Sequence, residues 1–221
     1  MKLFAGLGNP GRQYSKNRHN IGYMAVERIA SDYNFPAWRR KFSGIVSEGR
    51  IGPEKVVLLK PETFMNRSGQ SVGEAMRFFK CAPEDVTVFY DEIDLRPGKV
   101  KAKVGGGHAG HNGIRSIHQH IGAEFVRVRL GVGHPGNKEL VTRFVLGNFS
   151  AQDEEWLPSI LDSVSSAAVE LAKGNLPAFS NSFSRKMADA VESSSRKVAP
   201  PAEKSTKSGI FQKLSTLFRT D

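Results

Sequence analysis

Three short apolar runs, each leading to a polar residue, restrict what this chain can become. Leu3 to Leu7 leads to Asn9, Val56 to Leu59 leads through a short turn to Asn66, and Val86 to Tyr90 ends at Asp91. Each run has the length of a strand and is bounded by Gly, Pro or Asn, so each reads as a buried strand delivering one polar group to a sheet edge. Segments of helical period lie between them. Ile21, Met24, Ala25 and Ile29 share one face of a helix over 19–33, and Val72, Ala75, Met76 and Phe79 share one face of another over 68–80. Strand alternating with helix is the pattern of an α/β fold, where ligands gather beyond the carboxyl ends of the strands. One cleft lined by amides, imidazole and carboxylate is therefore expected.

Further along, 43–51 and 55–60 read as a hairpin, 98–104 and 125–132 as strands, and 112–121, 137–145, 153–173 and 177–190 as helices. The expected fold is a single α/β domain over 1–190, with a mixed, mostly parallel twisted sheet flanked by helices. A chain of 221 residues with 39% hydrophobic content can bury one such core. Cys81 is the only cysteine, which leaves no disulfide framework and no cysteine metal cage, and suits a reducing cytosol. There is no 18-residue apolar stretch, and the N-terminus enters a strand at Lys2, so a cytoplasmic protein is expected. A net charge of +10 favours a polyanionic partner, although basic charge can also serve solubility alone.

After residue 190 the composition changes. Ser193 to Ser208 is rich in Ser, Lys, Ala and Pro and reads as a disordered linker. Ile210, Phe211, Leu214, Leu217 and Phe218 then form the stripe of a short amphipathic helix, so 191–221 is expected to be a flexible extension with a tail able to dock on a ribosome or membrane surface.

Gly6-Leu7-Gly8-Asn9-Pro10-Gly11 matches G-x-G-x-x-G, but a dinucleotide site needs a helix opening inside the motif, and the turn-like residues 10–17 delay helical periodicity to about His19. His19 at a helix start reads either as a surface or capping residue or as a base, because a helix N-terminus disfavours the imidazolium. Asp91 is its natural partner; accepting Nδ1–H, it would turn Nε2 toward a water. Asp91 could equally be a strand-end cap, and Glu92 and Asp94 belong to the following loop. The run Gly105 to Gly113 carries His108, His111 and Asn112; its glycines let backbone approach a ligand, and Asn112 could cap the next helix or donate an amide hydrogen bond. Two histidines three apart invite a metal, but no third ligand is arranged beside them, and neither metal nor cofactor is expected.

These blocks, G-L-G-N-P-G with Tyr14, R-H-N-I-G at 18–22, K-P-E-T-F-M-N-R-S-G at 60–69, Y-D-E-I-D-L-R-P-G at 90–98, G-G-G-H-A-G-H-N-G at 105–113 and R-L-G-V-G-H-P-G at 129–136, resemble those of bacterial peptidyl-tRNA hydrolase over roughly residues 1–188. Tyr90 stands where many members have His. The resemblance implies hydrolysis of the ester joining a peptide to tRNA by a monomer, with peptidyl-tRNA as the partner and no stable protein partner. It implies His19 as general base, Asp91 as its support, and Asn112 and Asn9 as donors to the developing oxyanion. Asn66 would grip the peptide, Tyr14, Met65 and His111 would shape the cleft, and Lys103 and Arg129 would clamp a tRNA phosphate. The stretch 137–145 would act as a lid. A non-catalytic RNA-binding module, like the chloroplast splicing relatives of this fold, is the alternative; binding alone would not need a base and an orienting acid.

Overall fold

The computed structural model describes residues 1–198. Its elements are β1 (Lys2–Gly6), α1 (Ile21–Asp32), β2 (Arg39–Lys41), β3 (Gly44–Ile51), β4 (Glu54–Pro61), α2 (Ser68–Phe79), β5 (Val86–Glu92), β6 (Val100–Val104), α3 (Asn112–Ile121), β7 (Val126–Gly131), α4 (Val141–Val145), α5 (Leu157–Ala172) and α6 (Leu176–Val198). The strands form one sheet in the order β2-β3-β4-β1-β5-β7-β6. Its centre, β4-β1-β5-β7, is parallel, while β3, β2 and β6 are added by antiparallel pairing.

The apolar runs lie at this centre because both faces of the sheet are covered. All seven residues of β5 are buried, as are four of the five in β1. On one face, α1, α5 and α6 pack Ile21, Ile29, Val164 and Phe179 against Phe4 and Phe89. On the other, α2 and α3 pack Val72, Ala75, Ile114 and Ile117 against Leu3, Ala5 and Val88. The chain leaves β1 for β4 on one side and returns to β5 on the other. Strand order thus reverses beside β1, and a crevice opens at the carboxyl ends of β1 and β5.

The structure departs from the sequence expectations in local detail. β2 is an added element, since Arg39, Arg40 and Lys41 show no apolar alternation and pair only as an edge. β5 continues through Asp91 to Glu92, so Glu92, expected in the following loop, is the last residue of the strand. The helix placed over 19–33 begins at Ile21, after a 3₁₀ turn at Arg18–Asn20. The stretch 137–145 divides into a 3₁₀ turn at Lys138–Leu140 and α4. α6 runs through Val198, into the expected linker, because no glycine or proline interrupts the sequence between Leu176 and Val198 except Pro177 at the helix start. The rest of the linker and the amphipathic stripe at 210–218 lie outside the described residues. Among the described residues no helix is long and apolar enough to cross a membrane.

Candidate active site

The segments beyond the central strands converge on one cleft of about 510 Å³. Asn9 comes from beyond β1, Met65 and Asn66 from beyond β4, Asp91 and Glu92 from the end of β5, and His134 from beyond β7. The glycine loop and the start of α3 add His111 and Asn112 from one flank.

Glycine lets α1 lie close enough to bring His19 over the end of β5. A Cβ on Gly22 would press on the Phe89 carbonyl oxygen and stand 2.5 Å from the Leu7 nitrogen, so no larger residue fits that crossing. His19 Nδ1 then lies 2.8 and 2.9 Å from the two oxygens of Asp91, and His111 Nε2 lies 3.0 Å from Oδ1. An ionised carboxylate only accepts, so both rings donate to it. The other nitrogen of His111, Nδ1, must therefore be an acceptor, and it accepts the Ile114 N–H at 3.3 Å as the cap of α3. By the same reasoning His19 carries its proton on Nδ1. Its Nε2 keeps a lone pair, has no hydrogen-bond partner among the described residues, and belongs to a ring that lines the cleft.

Burial governs the electrostatics here. It would push the Asp91 carboxyl upward, but the charges and hydrogen bonds of His19 and His111 outweigh it and hold Asp91 far below the usual carboxylate range. Burial alone would lower the His19 pKa; the Asp91 charge and hydrogen bond overcome that and hold it above 6.5. The Asp91 carboxylate, rather than the helix start, therefore dominates the titration of this ring. His19 sits in a 3₁₀ turn before α1, not on its first turn.

His19, Asp91 and His111 are also the one group among the described residues with potential metal-ligand atoms close together. The contacts of 2.8 to 3.0 Å are hydrogen-bond distances. Two ligands of one tetrahedral zinc stand about 3.3 Å apart, so the geometry fits proton sharing better than a shared cation.

The amides are oriented by backbone. Asn9 is buried, its Oδ1 accepts the Met65 N–H at 2.9 Å, and its main chain exchanges two 2.9 Å hydrogen bonds with Asn20. With the oxygen used, Nδ2 is the group left to donate. Asn112 is the first residue of α3 rather than its cap, since His111 takes that role; its amide is exposed at the cleft. Asn66 is likewise exposed there, while Met65, which also lines the cleft, is buried and packs with Leu7 against Gly113. Tyr14 is half-buried and does not line the cleft, contrary to expectation: it closes the 3₁₀ turn Arg12–Tyr14, whose hydrogen bond from its own N–H to the Gly11 carbonyl at 3.1 Å keeps it beside that turn.

Lys103 and Arg129 lie outside the cleft on the β6–β7 edge. Pairing sets Lys103 opposite Arg127 and Lys101 opposite Arg129, so all four side chains leave the same face. Arg129 donates from Nε to Glu92 at 2.8 Å, and Glu92 lines the cleft, so the basic patch adjoins the cleft through one ion pair. Burial would lower the Arg129 pKa, but Glu92 raises it further. Arg127, two residues before Arg129 on the same strand face, is fully buried. It donates at 2.6 Å to the carbonyls of both Gly106 and Gly107 and meets His118 Nε2, so it pins the glycine loop rather than facing solvent.

Sequence reasoning missed Glu92, Asn20, the second histidine on Asp91, and Leu146, which extends the cleft wall that Val141 and Val145 of the expected lid stretch form. For Asn20 the signal was present, in a polar residue held next to a histidine inside R-H-N; for the others nothing local distinguishes them.

Residues 3–191 match the family model described as peptidyl-tRNA hydrolase. The chain belongs to that family. The peptidyl-tRNA hydrolase of Ruegeria pomeroyi is 62% identical over 188 residues, covering 85% of this chain and 79% of that protein. That of Dinoroseobacter shibae is 61% identical over 188 residues, covering 85% and 80%. The crystal structure of peptidyl-tRNA hydrolase from Acinetobacter baumannii is similar with a TM-score of 0.79 and 42% identity, covering 83% of this chain and 94% of that one. The family is thus the one that the six sequence blocks resemble, and its fold is the one described above.

Proposed function

We propose that this peptidyl-tRNA hydrolase cleaves the ester between a peptide and the terminal ribose of tRNA by activating water on His19. The observation that carries this reading is the His19 ring, fixed on both oxygens of Asp91 through Nδ1 with Nε2 unpartnered at the cleft. Nε2 takes a proton from water as the water oxygen bonds to the ester carbon. The carbonyl oxygen gains the charge, and Asn9 Nδ2 and Asn112 Nδ2 donate to it. The carbon–oxygen bond to the ribose then breaks, and Nε2 returns its proton to the leaving ribose oxygen. Asp91 stabilises the imidazolium meanwhile, and His111 holds Asp91 in place.

Among the described residues no serine or cysteine lines the cleft, and the one hydroxyl there, that of Thr142, stands on the α4 wall, which favours water over a protein nucleophile. Asn66 and Met65 face the peptide, and Lys103 and Arg129 take a tRNA phosphate. Such a substrate arises at ribosomes, so the enzyme works in the cytoplasm, as a monomer. The test is release of N-acetyl-aminoacyl groups from tRNA by the purified protein. His19→Ala should abolish release and leave tRNA binding intact; a variant keeping a tenth of the rate would show that another group is the base.

A further inference from the structure

The α4 wall of the cleft has little to hold it. Of Lys138–Val145 only Val145 is buried, while Leu140 and the following Leu146 are 46% and 41% exposed. Apolar burial that slight leaves a segment free to open unless polar contacts fasten it.

Those contacts converge on Arg18, the residue before His19. Its backbone N–H donates to the Gly147 carbonyl at 3.0 Å, within a short bridge that pairs Asn17 with Asn148 and is completed by Phe149 N–H to the Lys16 carbonyl at 3.0 Å. Asn17 Nδ2 adds a hydrogen bond to the Leu146 carbonyl. The Arg18 guanidinium donates through one terminal nitrogen to the Asn148 carbonyl at 2.8 Å and through the other to Asp153 at 2.7 Å. Its carbon stands 4.4 Å from the centre of the Phe144 ring and 5.6 Å from that of Phe149. Asp153 is preset for this role, because the N–H and hydroxyl of Ser150, at 2.8 and 2.9 Å, and the Trp156 indole already fix it. Both partners of the ion pair are only 13% exposed, so removing one would leave the other charge largely buried and unpaired, which costs more than breaking a surface pair.

We propose that Arg18 is a positioning residue that clasps the α4 wall against the turn bearing His19, so that the peptide end of the substrate is gripped only when wall and base are in register. Planar stacking on Phe144 and a fork of two hydrogen bonds are both needed, which an arginine provides and a lysine does not. The inference rests on the hydrolase reading. Hydrogen exchange tests the clasp without reference to activity, so failure of one is distinguishable from failure of the other.

The test compares Arg18→Met, Arg18→Lys and Asp153→Asn with the wild type. Arg18→Met should raise KM for N-acetyl-aminoacyl-tRNA about tenfold while changing kcat less than about threefold, the pattern of lost binding rather than lost chemistry. The pH midpoint of kcat, set by His19 and Asp91, should stay where it is. Amides 141–149 should exchange faster. Arg18→Lys should fall between Met and wild type, and Asp153→Asn, which removes only the outer partner, should give a smaller change of the same kind. Unchanged exchange at 141–149 in Arg18→Met would overturn the clasp, as would a shifted pH midpoint at unchanged KM, which would mean that Arg18 acts on His19 itself. Should Arg18→Met fail to fold, an Asp153→Asn protein with wild-type KM and exchange would also overturn it.

Discussion

Replacing Asp91 with Asn should do more harm than the loss of one charge implies, and the reason lies in the proton positions. Oδ1 accepts from His19 Nδ1 at 2.8 Å and from His111 Nε2 at 3.0 Å, while Oδ2 lies 2.9 Å from His19 Nδ1. His111 cannot change tautomer cheaply, because its Nδ1 accepts the Ile114 N–H. The amide oxygen of the variant must therefore stay at the Oδ1 position, which sets its NH₂ against His19 Nδ1. Relief comes when His19 moves its proton to Nε2, and that tautomer has no lone pair to offer water. A lost hydrogen bond to a charged group is worth about 1.5–3 kcal/mol, or roughly 10- to 150-fold in rate. Adding the wrong tautomer extends the loss of kcat toward about 10⁴-fold, the scale seen when the same exchange is made in a serine-protease triad. The assay is single-turnover release of labelled N-acetyl-aminoacyl groups from tRNA over roughly pH 5.5 to 9. In the wild type the neutral ring is the active form, so kcat should rise with pH through a midpoint above 6.5. In the variant the residual rate should have its midpoint moved downward, since the charge that raised it is gone. An Asp91→Asn enzyme with more than a tenth of the wild-type kcat and an unmoved midpoint would refute the reasoning.

The sheet and its edge give two further expected outcomes. Changing Lys103 and Arg129 together to Ala should raise KM for tRNA esters and reduce the slope of log KM against log salt by about 1–2, with a smaller effect on kcat; a pure kcat loss at an unchanged slope would rule out phosphate contact. Gly22→Ala would force a methyl against the Phe89 carbonyl and Leu7 backbone, so it should cost about 2 kcal/mol or more and lower Tm by roughly 4–8 °C, read by thermal denaturation.

Much of this was legible in the chain because burial and chemistry coincide at the ends of apolar runs. The runs at Leu3, Val56 and Val86 became β1, β4 and β5, and Asn9, Asn66 and Asp91 reached the cleft because topology aligns the carboxyl ends of parallel strands. What stayed hidden depends on contacts between distant segments. Arg127 and Arg129 look alike two residues apart, yet one is fully buried under the glycine loop and the other faces Glu92; only the loop's path over β7 separates them. Tyr14 sits in a recognisable motif, but the 3₁₀ turn that carries it leaves it out of the crevice. The direction in which the His19 pKa moves could not be read from its place near a helix start, because Asp91, 72 residues away, decides it.

The two outermost strands of the sheet carry a second meaning. An open sheet ends in rows of unpaired N–H and C=O groups that invite another molecule to add a strand, and positive side chains on those rows discourage it. β2 is Arg39-Arg40-Lys41, wholly exposed, and β6 carries Lys101 and Lys103 beside the exposed Val104. Lys103 therefore guards the sheet against strand addition in addition to the phosphate contact proposed for it. A lysine removed there to weaken RNA contact also leaves an edge with Val104 and one less charge, so light scattering over time belongs beside the kinetics of any such variant, to tell lost affinity from slow self-association.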